Sequence, residues 1–292
     1  MSDELLEEES TIDLDKKEEE SVAQNASLAT PVLYEIIRRA GEEELTRPVQ
    51  SLVISGFAAG LAIGFSVLAE AILLAHLPDE PWRPLVDNLG YSVGFVMVIM
   101  ARLQLFTENT ITVVLPTLLK PSKIGVTGLA RLWSSVLAAN FVGCALFAAG
   151  LYYTGAIPAD VLAASLSISH HMMENTVWQM FIKGIFAGWL IAGLVWMLPN
   201  AHSAGLWLII LVTYIIAAGD FTHVVAGTVE GMLLVYAGDV SLAAMLGGFF
   251  LPTLLGNIVG GTGLFALLTY GQIEQELHQK TSGIYEIFSK EK

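Results

Sequence analysis

Twice in this chain, an apolar run long enough to cross a bilayer is interrupted near its middle by Phe-Thr and then an ionisable residue. Phe106-Thr107 leads into Glu108, and Phe221-Thr222 leads into His223, 115 residues further on. A helix broken at that depth leaves backbone N–H and C=O groups without partners, so it must be buried in protein or line a cavity. Two such breaks in corresponding halves of a chain point to a solute site near the bilayer midplane.

The composition fits a chain of this kind. Its 292 residues are 54% hydrophobic and 14% charged, with a mean hydropathy of +0.63, whereas soluble domains carry about 25% charged residues. Apolar runs of about 20 residues or more mark six spans: Val49–Leu77, Leu89–Leu119 (broken near 107–111), Val126–Tyr153, Val177–Leu198, Leu206–Tyr236 (broken near 219–222) and Leu242–Tyr270. Cys144, the one cysteine, falls inside the third span, which excludes an intrachain disulfide. The first twenty residues are acidic, unlike a signal peptide. Residues 1–47 carry −9 of the net charge of −14. A tail that acidic and poor in large apolar residues is expected to be disordered, and the charge argues against nucleic acid, which binds basic patches.

The expected organisation is a disordered acidic tail over 1–27, an amphipathic helix over 28–47, a six-span pore domain over 48–272 and a closing polar helix over 273–292. Within 28–47, Leu33, Ile36, Ile37 and Ala40 recur at helical spacing, which reads as a helix lying at the membrane surface. Arg38, Arg39, Arg47, Lys120, Lys123, Arg131 and Lys280 fall on one side of a six-span chain, and Arg83 on the other. The positive-inside rule then places both termini in the cytoplasm, at the plasma membrane (the inner membrane of a bacterium).

The two halves echo each other beyond Phe-Thr. Gly56-Phe-Ala-Ala59-Gly60 in span one resembles Gly184-Ile-Phe-Ala187-Gly188 in span four. Asn140-Phe-Val142-Gly143 in span three resembles Asn257-Ile-Val259-Gly260 in span six. With three spans per half, the second half enters from the opposite side, so the fold expected is all-α, with six transmembrane helices in two inverted three-helix repeats.

Gly56, Gly60 and Gly64, the run Leu105-Phe106-Thr107, the pair Gly219 and His223, and the run Asn257-Ile-Val-Gly260-Gly261 together resemble the formate/nitrite transporter family over about residues 28–275. The resemblance implies an aquaporin-like protomer assembled as a homopentamer, each subunit having its own pore for small monovalent anions. It places Thr107 and His223 at the pore centre, Leu105 and Phe106 at one constriction and Ile216 at the other. There are departures. Met172 stands where the family commonly has a vestibular lysine, Gly227 where an asparagine commonly follows the histidine, and Arg102 and Glu108 where small residues are usual.

An imidazole changes charge in the physiological range, and half-helix N-termini suit anions. The mechanism expected is that a weak-acid anion takes a proton from or through His223 and crosses Leu105 and Phe106 as the neutral acid, because an ion in an apolar constriction costs far more than its acid. Alternatively, His223 only fixes the broken backbone. Thr107 either hydrogen-bonds the solute or caps the half-helix that follows. Glu108 is expected to pair with Arg102 as a clamp, the alternative being a second proton site. Arg102 and Lys183 could each attract anions, and Lys183 could instead snorkel outward. Asp220 is expected to orient His223 or cap the second half of span five. Glu70 and Glu230 read as solvated or interfacial residues near outer span ends. His170, His171 and Glu174 do not complete a zinc shell, and no cofactor is expected. An enzyme is disfavoured, since no Gly-x-Ser-Gly nucleophile occurs. The alternatives are a water or small neutral-solute channel, which lacks its Asn-Pro-Ala pair here, and a non-conducting membrane scaffold sealed by an Arg102–Glu108 pair.

Overall fold

The computed structural model describes residues 26–119 and 123–273, together with Lys16. The acidic tail, the closing polar helix, Lys120, Lys280 and the side chain of Lys123 lie outside the described residues. Among the described residues every regular element is helical. Apart from short turns of helix at Arg83–Asp87, Asn88–Tyr91, Leu198–Asn200 and His202–Ala204, they are α1 (Thr30–Thr46), α2 (Val49–His76), α3 (Ser92–Met100), α4 (Asn109–Thr112), α5 (Val114–Leu119), α6 (Lys123–Tyr153), α7 (Ala159–Met173), α8 (Val177–Met197), α9 (Gly205–Ala218) and α10 (Val224–Ala237). Last comes α11 (Leu242–Ile273), which contains π-helical stretches at Leu246–Phe250 and Val259–Ala266.

Among the described residues, four helices are long and apolar enough to cross a membrane: α2, α6, α8 and α11. The pairs α3 with α4–α5 and α9 with α10 are shorter. The 14 residues of α10 rise about 21 Å, less than the ~30 Å hydrocarbon core. Outward faces stay apolar. Ile54, Trp178, Phe186 and Trp207 are all exposed, a surface suited to lipid or to a neighbouring subunit.

Two helix pairs form the frame by one device. A Cβ on Gly60 would sit 2.3 Å from the Asn140 carbonyl oxygen, and one on Gly143 would sit 2.4 Å from that of Phe57. In the second pair, a Cβ on Gly188 would sit 2.3 Å from the Asn257 oxygen and one on Gly260 2.1 Å from that of Ile185. No side chain fits at such distances, so glycine lets the backbones of α2 and α6, and of α8 and α11, touch.

Two elements differ from expectation. The apolar face of α1 lies on protein: Leu33, Tyr34 and Ile37 are buried against Ile111, Val114 and Leu115. The Tyr34 hydroxyl donates to the Leu115 carbonyl at 3.5 Å. The connection between α6 and α8, for which no helix was expected, holds the 15-residue helix α7.

Candidate functional site

The chain leaves helix from Ala101 to Glu108, between α3 and α4, and from Gly219 to His223, between α9 and α10. The first break therefore starts ahead of Phe106-Thr107 and not at 107–111. Both breaks open alike. After α3 and α9, a non-glycine residue takes a left-handed conformation, Arg102 at φ 53 and Asp220 at φ 52. That costs about 1–2 kcal/mol per residue and persists only where the surroundings hold it.

Two buried asparagines supply much of that hold. Asn140 Oδ1 accepts from the Phe106 N–H at 2.9 Å, and Nδ2 donates to the carbonyls of Gly56 at 2.7 Å and Gln104 at 2.9 Å. Asn257 makes the same three bonds, to the Val224 N–H at 2.9 Å and to the carbonyls of Gly184 at 2.8 Å and Thr222 at 3.0 Å. Each amide replaces partners that an unbroken helix would have given the backbone. The matched break positions, Phe106 with Val224 and Gln104 with Thr222, lie 118 residues apart. The repeated Phe-Thr phrase, offset by 115, does not mark equivalent positions: Thr107 faces His223, whereas Thr222 Oγ1 donates to the Met180 carbonyl at 2.8 Å.

His223 is the N-cap of α10. The Ala226 N–H donates to its Nδ1 at 3.2 Å. A backbone N–H can only donate, so Nδ1 is the acceptor and the neutral ring carries its hydrogen on Nε2. That Nε2–H donates to Thr107 Oγ1 at 2.7 Å, joining the two breaks. Both side chains are buried, and the Phe95 ring meets the imidazole edge-on at 5.0 Å. Leu105, Phe106 and Ile216 are buried as well, Phe106 lying edge-on to Trp133 at 5.5 Å.

Two cavities approach this contact. The larger, about 340 Å³, reaches His223 and is lined also by Glu70, Asp87, His171, Asp220 and Glu230. Glu70 and Glu230 thus face an internal space and are not solvated residues at span ends, because α2 and α10 pack side by side and turn these faces inward. Burial holds the Asp87 carboxyl above the usual carboxylate range. The smaller cavity, about 210 Å³, is lined by Glu44, Arg102, Gln104, Leu105 and Glu108. Phe106 and Ile216 line neither of these two cavities.

The charged residues pair differently from expectation. Arg102 and Glu108 form no ion pair. The left-handed turn leaves Arg102 exposed, while Glu108 Oε1 is buried without a hydrogen-bond partner. Lys183 binds Asp220 and donates to Asn175 Oδ1 at 2.6 Å. Asp220 is thereby engaged by Lys183, with no hydrogen bond to His223. Gln104 Nε2 donates to Glu44 at 2.8 Å and Asn109 Nδ2 to Gln104 Oε1 at 3.0 Å, a network the sequence reading missed. His170 lies 3.0 Å from Asp239 and His171 3.3 Å from Glu174. Among the described residues, no three His, Cys, Asp or Glu side chains are placed to share a metal ion.

Comparison with known proteins places this arrangement. The profile of the formate/nitrite transporter family matches residues 31–271. The inner membrane protein YfdC of Escherichia coli K12 is 44% identical over 248 residues, covering 85% of this chain and 80% of its own. The formate channel BtFdhC of Bacillus thuringiensis is 25% identical over 255 residues, covering 84% of this chain and 95% of its own. A pentameric formate channel solved with formate bound superposes with a TM-score of 0.66 at 21% identity, covering 78% of this chain and 98% of that one. The match across most of the chain and the identity to YfdC show that the protein belongs to the formate/nitrite transporter family.

Proposed function

We propose that the chain forms a transmembrane pathway for small monovalent anions that cross as their weak acids, with Thr107 and His223 at its centre. The observation that carries this reading is the 2.7 Å contact between those side chains, made where two helix breaks meet and reached from one side by the larger cavity. Membership of a transporter family and relatives named as formate channels support it.

In this reading, α2, α3 with α4–α5, α6, α8, α9 with α10, and α11 are six spans in two inverted repeats, and the matching asparagine clamps are the repeat's signature. Arg38, Arg39, Arg47 and Arg131 lie on the side of the smaller cavity, which therefore faces the cytoplasm of a plasma (inner) membrane, with both termini there. Five copies assemble through the exposed apolar faces, a stoichiometry supported by the pentameric formate channel of similar fold, and lipid covers the rest. Residues 1–27 form a solvated acidic tail, α1 corresponds to the helix over 28–47, and 273–292 form the closing helix.

The geometry refines the chemistry. With Nδ1 engaged by Ala226, His223 has one hydrogen, on Nε2, and gives it as a hydrogen bond to Thr107. Releasing it would leave an imidazolate, and a second hydrogen on Nδ1 would point at the Ala226 N–H. We infer that the ring donates hydrogen bonds and is not the source of the solute's proton. It fixes the Thr107 hydroxyl, whose own hydrogen is free to point at the solute. The proton then travels with the solute, which keeps transport proton-linked. Passing Leu105, Phe106 and Ile216 as a neutral acid avoids burying an unpaired charge. Arg102, with no ion partner among the described residues, gathers anions at the cytoplasmic cavity, and Glu108 beside it is a second group able to exchange protons.

The test is uptake into proteoliposomes across a panel of formate, nitrite, acetate, lactate and hydrosulfide, at several pH values. Uptake of at least one member above protein-free liposomes, rising as pH falls, is the expected result. Water permeability without uptake of any member would instead identify a neutral-solute channel.

A further inference from the structure

The larger cavity is more acidic than a passage for free anions requires. Glu70, Asp87, Asp220 and Glu230 all line it. Asp220 is neutralised by Lys183, and His171 lies against Glu174 and 4.0 Å from Asp220. Arg83, the basic residue near Asp87, is paired with Asp79 at 2.9 Å. Glu230 has no such partner. It is 7% exposed, and among the described residues no hydrogen bond or ion pair reaches it, although it faces the cavity. A carboxylate that deeply placed ordinarily has its oxygens satisfied.

Its position on α10 shows what would satisfy them. His223, Gly227 and Glu230 fall at i, i+4 and i+7, one stripe of the helix, and all three line the cavity. Residue 227 adds no side chain to that stripe, and the Phe249 ring and Met172 Sδ pack close against it, 2.4 Å and 3.0 Å from where a Cβ would sit. The cavity itself reaches both Glu230 and His223. The groups facing it are Glu70 from α2, Asp87 and Tyr91 from the segment before α3, His171 from α7, Asp220 from the α9–α10 break, and His223 from α10 itself.

Carboxylate oxygens accept hydrogen bonds and carry negative charge. A free anion brings more acceptors and more negative charge, whereas a protonated weak acid brings an O–H donor and no charge. We propose that Glu230 is the specificity-determining residue of this cavity, accepting a hydrogen bond from the neutral acid while Glu70 and Asp87 help turn the free anion away. The inference rests on the weak-acid reading above and adds where the choice between acid and anion is made.

Right-side-out membrane vesicles carrying the full chain test it, with labelled formate as the weak acid and nitrate as an anion that stays ionised. Wild-type formate uptake is expected to fall about tenfold per unit of outer pH, following the neutral fraction, and nitrate to be excluded. Glu230→Gln keeps the shape and removes the charge. It is expected to flatten that dependence to under about threefold per unit and to admit nitrate. Glu230→Asp should keep the wild-type slope. If Glu230→Gln lowers uptake by one factor at every pH and still excludes nitrate, the residue is structural and the inference is overturned. A wild type that moves no weak acid overturns the proposed function itself, a separate outcome from the first.

Discussion

His223 does two things at once, and substitution can separate them. Its Nδ1 caps α10 and its Nε2–H holds Thr107. Asparagine is a strong N-cap but is too short to reach across to Thr107. His223→Asn is therefore expected to keep the wild-type melting temperature in detergent to within a few degrees while uptake falls at least about tenfold, a loss of ~1.4 kcal/mol or more. His223→Ala loses the cap as well, worth about 0.5–2 kcal/mol, and should melt earlier. Equal uptake by His223→Asn and wild type would leave the ring with a structural role alone. The sequence marked Thr107 and His223 because each lies at an interruption of an otherwise apolar run, and the family resemblance set them opposite each other; their side chains lie 2.7 Å apart. The partners of the charged residues were not readable from sequence. Arg102 and Glu108 lie six residues apart and invite pairing; both line the smaller cavity, but Arg102 is exposed there while Glu108 Oε1 is buried without a hydrogen-bond partner. Lys183 and Asp220 are 37 residues apart in sequence and meet only in the fold.

At the scale of elements, the asparagine clamps give the sharpest expectation. Asn140 and Asn257 are fully buried, and each makes two bonds to backbone groups of a break and one to a carbonyl of a continuous helix, Gly56 in α2 and Gly184 in α8. Leaving a buried polar group unsatisfied costs about 1–3 kcal/mol. Asn140→Leu and Asn257→Leu should each lower thermal stability by several kcal/mol and by similar amounts. Thermal unfolding followed by circular dichroism would check this, and a loss confined to one of the two would break the equivalence of the halves. The sequence shows both asparagines as repeated letters, yet not what they bond, so the Phe-Thr phrase suggested an offset of 115 where the clamps give 118. Helix α1 offers a pH test. A hydrogen bond from Arg38, joined by one from Arg39, holds the Glu35 carboxyl down at about 2 against an ordinary 4.5. The stabilisation is present above pH ~4.5 and lost as pH falls toward ~2, and solvent screening keeps it small at this half-exposed site. A spin label at exposed Glu43 (Glu43→Cys) should gain mobility below pH ~4.5. Unchanged mobility down to pH ~2.5 would show that these pairs, which lie within α1, do not support its helical order.

Across the whole molecule, an all-helical, apolar architecture was legible because long apolar runs admit few other folds. In the structure a Cβ at Gly60, Gly143, Gly188 or Gly260 would collide with a neighbouring backbone. Helix α7 was not anticipated, although Val161, Ala164, Ile168 and Met172 recur along it at helical spacing and pack inward. The acidic character of the larger cavity was hidden in the sequence. Glu70, Asp87, Asp220 and Glu230 are scattered over 161 residues of sequence and converge only when α2, α9 and α10 are brought together. The central claim is that a small weak acid crosses at the Thr107–His223 contact. Its most direct test is labelled formate uptake by proteoliposomes bearing wild type, Thr107→Ser or Thr107→Val at equal protein density. Serine keeps the hydroxyl and should preserve uptake, whereas valine keeps the shape without it and should reduce uptake at least about tenfold. Equal uptake by Thr107→Val and wild type would contradict the account.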